Sequence, residues 1–224
     1  MLNQKKIDSY LLVTFSILIS VFLFLLAFES NGLSGGSDSY NHYLIAKNSW
    51  TYPSLFMDQW GKPIYSLIAS PFAQFGLSGV IFLNILCLIF SGLLVYKTTF
   101  KLNLKFAFLG FLLTVLSPVF LDNIISSLTE PLCALLVILT VYLFVFEKYT
   151  LTAVLAGFLP YSRSEGFIVL AIVAITLIII KKQHKLIPHL FIGTLFLNTL
   201  GWIIDGDPFW VITQNPYINF ELSG

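Results

Sequence analysis

The sequence predicts an all-α fold, a polytopic transmembrane helical bundle of about seven spans. The 224 residues are 57% hydrophobic and only 10% charged, against about 25% charged in an ordinary soluble domain. Mean hydropathy is +0.88. The apolar residues are gathered into long uncharged runs separated by short polar turns, the arrangement a bilayer demands of segments that must satisfy their backbone hydrogen bonds internally.

The runs cover 10–28, 78–96, 106–121, 131–146, 149–162, 166–180 and 186–204. A spanning helix takes roughly 20 mainly apolar residues, and shorter runs tilt or pack inside a bundle. The first run follows Lys5 and Lys6 as a signal peptide would. It is long and ends LLAFESNG without a small-x-small cleavage site, so it reads as an uncleaved anchor. Residues 1–224 are expected to form a single transmembrane domain. Cys87 and Cys133 lie in apolar runs and read as small packing residues.

Lys and Arg in short loops remain cytoplasmic. With the amino terminus inside, Lys5, Lys6, Lys97, Lys101, Lys105, Lys148, Lys181, Lys182 and Lys185 all fall inside, nine of the twelve basic residues. Lys47, Lys62 and Arg163 fall outside. Carboxylates show the opposite bias. Asp8 and Glu147 lie inside, whereas Glu29, Asp38, Asp58, Asp122, Glu130, Glu165, Asp205, Asp207 and Glu221 lie outside, nine of eleven. The positive-inside rule does not require that acidic outer face. The expected location is a cell (inner) membrane, multi-pass, with functional groups on the exoplasmic side. A net charge of +1 and the lack of a basic stripe or a Gly-rich phosphate loop argue against nucleic acid as a partner.

The first outer loop holds LSGGSDSYNHYLIAKNSW (33–50). A surface-lying helix there places Tyr40, Tyr43 and Leu44 on one side and sets Asp38 and His42 four residues apart on a shared face. Asp38, after two glycines and a serine, is either a helix N-cap or a working carboxylate. His42 is either a surface histidine or a site residue. GKPIYSLIASPFAQFG (61–76) is apolar but interrupted by Pro63 and Pro71, which predicts a second interfacial or re-entrant helix. In LDNIISSLTEPL, Glu130 is placed to start a helix, where the dipole favours a carboxylate. In GFLPYSRSEGF, Arg163 and Glu165 stand between two short apolar runs. A deep arginine costs at least about 2.5 kcal/mol on insertion scales. It reads either as a snorkelling partner of Glu165 or as a phosphate clamp, for which the guanidinium fork is suited.

Taken together, SDSYNHY, KPIYSLIASPF, SLTEPL, GFLPYSRSEGF and WIIDGDPFWVITQNPY resemble the amino-terminal half of the polytopic GT-C glycosyltransferases. That superfamily includes protein O-mannosyltransferases and bacterial lipid-A aminoarabinose transferases. The resemblance implies that Asp38 is the first-loop catalytic carboxylate, acting on a polyprenyl-phosphate sugar donor, with inversion at the anomeric carbon. The acceptor is a hydroxyl of a lipid, glycan or protein. Arg163 would face the donor phosphate, with Glu130, Glu165, His42 and Tyr40 as substrate-binding residues. Neither a metal nor a cofactor is expected. Many relatives carry a second acid, or an acid beside a histidine, in that loop; here Ser39 follows Asp38, leaving His42 or Asp58 as the second member. Relatives are also usually longer, with further spans, so the chain reads either as the amino-terminal part of a longer module or as half of a split system. Two rival readings are a transporter or flippase with Arg163 and Glu165 on its pathway, and an inert membrane subunit.

Overall fold

The structure, a computed structural model, describes residues 2–28 and 33–214. Glu29, Glu221 and the end of the WIIDGDPFWVITQNPY stretch lie outside the described residues. The described chain is helical throughout, without a β-strand: α1 (Leu2–Phe28), α2 (Gly36–Asn48), α3 (Pro63–Ala73), α4 (Leu77–Lys101), α5 (Ala107–Val115), α6 (Pro118–Asp122), α7 (Glu130–Val145), α8 (Tyr149–Phe158), α9 (Gly166–Ile175), α10 (Ile192–Asp205) and α11 (Trp210–Thr213).

Among the described residues three helical stretches are long and apolar enough to cross a membrane: Leu77–Lys101, Ala107–Ile125 and His184–Asp205. The remaining apolar runs form shorter apolar helices at Tyr10–Leu25, Glu130–Val145, Tyr149–Tyr161 and Gly166–Ile180. Large apolar side chains stay exposed along these elements, among them Leu18, Phe22, Leu113, Ile172 and Ile203. Apolar surface of this extent belongs against lipid rather than water.

Proline placement explains two local departures from a plain reading of the runs. The expected run 106–121 is two helices, because Ser117 is extended before Pro118, which opens α6. Pro63 and Pro71, expected to interrupt their segment, are both absorbed into α3. Pro63 occupies the first turn, where the missing N–H has no intrahelical role. Pro71 removes the N–H that Leu67 would have faced one turn earlier. The Ser70 hydroxyl donates to the Leu67 carbonyl instead, at 3.2 Å.

α4 packs against α1, α3, α5 and α7 and is shared by two apolar cores. One core joins Tyr43, Ala46, Tyr65, Ala69, Leu83 and Leu132; the other joins Leu12, Leu23, Leu88, Phe111, Val115 and Ile124. Both cysteines are free and buried, Cys87 in the first of these. Between the cores runs a strap of buried polar contacts. The Asn84 side-chain amide, from the middle of an apolar helix, lies 3.2, 3.1 and 2.7 Å from the carbonyls of Asn123, Ile124 and Ser126. Ser127 donates its backbone N–H to Ser39 Oγ at 2.6 Å, and the Tyr65 and Ser127 hydroxyls lie 2.6 Å apart. Each carbonyl or hydroxyl buried without a partner would cost about 1–3 kcal/mol. This strap ties residues 123–127 to α2, α3 and α4 and fixes where Thr129 and Glu130 begin α7.

Candidate functional site

A polar cavity of about 340 Å³ opens where four separate segments converge. From α2 come Asp38 and His42; from the loop entering α3, Trp60 and Lys62; from the α7 start and the turn before α9, Thr129, Glu130, Arg163, Ser164 and Glu165. Five of the six residues singled out in the sequence line this one space. Tyr40 stands apart from it: it is exposed, and its hydroxyl accepts the Leu33 N–H at 3.3 Å. Asp58 is not a lining residue either. Its carboxylate accepts the Gly61 N–H at 2.7 Å and so braces the turn that carries Lys62.

Asp38 is not the cap of α2. The N-cap is Gly35, at φ +89°, and no side chain caps the helix. Glycine is favoured there chiefly by its backbone. The left-handed backbone suits glycine, and a Cβ would lie 2.8 Å from Leu128 Cδ1. Asp38 instead sits in the first turn, exposed, with no hydrogen-bond or ion-pair partner among the described residues. One turn on, His42 is 8% exposed, its ring edge packed on Tyr65 with centroids 5.7 Å apart. Its Nδ1 is buried without a partner. Burial pushes the His42 pKa down, opposed by the nearby Asp38 and Glu130 charges, so the ring is neutral near pH 7.

Arg163 is held by both carboxylates of its own wall. Nη2 and Nε donate to the two Glu165 oxygens at 2.8 and 3.2 Å, Nη1 pairs with Glu130 Oε1, and Nη1 also reaches Thr129 Oγ1 at 3.3 Å. Four of its five N–H donors are therefore committed. The bidentate bond holds the Glu165 carboxyl below the usual carboxylate range and raises the already high guanidinium pKa. The predicted pairing of Arg163 with Glu165 is present, and Glu130 joins it as the first residue of α7, where the helix dipole favours a carboxylate. Glu130 Oε2 is left buried and unpartnered.

Lys62 is the cation that sequence reasoning passed over. It is half-buried and makes no ion pair, since the salt bridges among the described residues are the two made by Arg163. Its backbone lies at φ +58°, a left-handed conformation costing a non-glycine residue on the order of 1 kcal/mol and typical of positions fixed by their surroundings. A signal for it existed. Only Lys47, Lys62 and Arg163 break the lysine bias of the loops, and two of these three line the cavity. The third, Lys47, lies over the Tyr43 ring at 5.4 Å.

Chemically, the cavity sets three carboxylates against two cations, an excess of one negative charge with His42 neutral. One carboxylate and one cation, Asp38 and Lys62, are uncommitted; Arg163, Glu130 and Glu165 occupy one another. Trp60, 54% exposed, presents an indole at the same opening. No group of three or more His, Cys, Asp or Glu able to hold a metal ion occurs among the described residues. Neither a protein-family model, a curated protein nor a solved structure matches the chain.

Proposed function

We propose that the chain is a multi-pass membrane glycosyltransferase of GT-C type, moving a sugar from a polyprenyl-phosphate donor to an acceptor hydroxyl in the Asp38 cavity. The observation that carries this reading is the pairing of an uncommitted carboxylate, Asp38, with an uncommitted cation, Lys62, in one cavity edged by an exposed indole. Asp38 takes the proton of the acceptor hydroxyl as its oxygen attacks the anomeric carbon. The bond from that carbon to the phosphate oxygen breaks, and the lipid phosphate leaves with the electron pair. Lys62, with the remaining N–H of Arg163, stabilises the charge arriving on the phosphate. The excess carboxylates suit a sugar, whose hydroxyls donate hydrogen bonds to them. Because the donor arrives with its lipid, no nucleotide is involved.

The direct test incubates purified protein in lipid with a panel of polyprenyl-phosphate sugars and a hydroxyl acceptor, measuring release of polyprenyl phosphate. One donor should be consumed in proportion to protein; a folded preparation that consumes none removes the reading. The opposite biases of lysines and carboxylates support a site on the exoplasmic face of an inner membrane, with the amino terminus cytoplasmic. Because Cys87 and Cys133 are buried, single cysteines at the exposed positions Ser37 and Gln214 can be labelled over a low background. Both should react with an impermeant thiol reagent on intact cells. Reaction only after the membrane is opened would reverse the orientation.

A further inference from the structure

At the end of the bundle where the loop lysines gather, the ends of α4 and α7 flank a second, open cavity of about 650 Å³. Lys97 and Lys101 enter it from α4, one helical turn apart, and Asn103 borders it at φ +55°. The walls are aromatic. Tyr142 on α7 and Phe146 just past its end have centroids 4.4 Å apart, and Tyr96 and Phe100 on α4 stack at 6.1 Å. Lys101 Nζ lies 5.7 Å over the Phe146 ring, which fixes its direction without neutralising it. Among the described residues neither lysine has a carboxylate partner, and none of those lining the space is a carboxylate.

We infer that this cavity is a binding site for the phosphodiester headgroup of an anionic phospholipid of the inner leaflet. Two ammonium groups supply the charge, while the Tyr142 hydroxyl and the Asn103 amide supply neutral donors. The ring walls continue into the apolar faces of α4, a helix long enough to cross a membrane, so a diacyl tail finds its place below the headgroup. A free phosphate ion would use the lysines and waste the rings, which is why the lipid is the assigned occupant. The leaflet rests on the membrane orientation proposed above; the inference does not depend on the outer cavity or on its proposed reaction.

Native mass spectrometry of the full chain, released from micelles doped with equal phosphatidylglycerol and phosphatidylcholine, reads the site directly. Phosphatidylglycerol should be retained roughly 25-fold over phosphatidylcholine, about fivefold for each lysine near the headgroup. The Lys97→Gln/Lys101→Gln double variant should bring the two lipids near parity, whereas Lys97→Arg/Lys101→Arg should keep the preference. Lys182→Gln/Lys185→Gln, which removes the same charge from the same face, should change it by less than about twofold. Equal retention by the wild type would overturn the assignment. So would an equal loss in the Lys182/Lys185 control, which would mean diffuse surface attraction. Displacement of phosphatidylglycerol by millimolar inorganic phosphate would make the site one for a soluble anion and likewise overturn it.

Discussion

Asp38→Asn should yield a folded protein whose sugar-transfer rate has fallen roughly a hundred- to ten-thousandfold, the usual loss on removing a general base. The structure makes this substitution cleaner than the sequence suggested. Gly35, not Asp38, caps α2, and the Asp38 carboxylate has no partner to lose among the described residues. What remains is the attraction of a carboxylate to the first helical turn, under about 1 kcal/mol at an exposed position. Thermal unfolding and expression should therefore match the wild type within that margin while donor consumption stops. Activity within a few-fold of the wild type would leave the cavity without its base.

The second large effect separates the two cations. Lys62→Gln should lower the transfer rate roughly a hundredfold, as loss of one donor to a developing anion typically does, with little change in stability, because Lys62 makes no ion pair among the described residues. Arg163→Ala should lower both. It strands Glu130, whose Oε2 is already buried without a partner, beside Glu165. At the partial exposure of this cluster the destabilisation should be about 1–2 kcal/mol, between the values for exposed and for fully buried pairs. Neutralising the stranded group in Arg163→Ala/Glu130→Gln should recover most of that stability without restoring turnover. If turnover returns with stability, Arg163 is an anchor of the α7 start and Lys62 alone meets the phosphate. Arg163→Lys keeps the charge but cannot span both carboxylates, so it should resemble alanine in turnover more than in folding.

The sequence alone determined the helical class and the places of the apolar elements, because hydropathy and proline position act over a turn or two of chain. Each of the seven runs is helical, and even the break in 106–121 is written locally, in Ser117–Pro118. Single candidate residues were legible for a similar reason: an arginine and three carboxylates standing beside apolar runs are costly enough to be noticed one at a time. Their relations were not legible. The cavity gathers α2, the turn before α3 and the α7 and α9 starts because Asn84, Ser39 and Tyr65 satisfy the polar groups of residues 123–127, contacts spanning 39 to 88 positions. No periodicity reports such distances. Only the packed structure decided that Gly35 caps α2, that Tyr40 and Asp58 turn away, and that Arg163 spends its fork on Glu130 and Glu165. It left Lys62 as the open cation, since which charge is free depends on which carboxylates arrive from elsewhere in the chain.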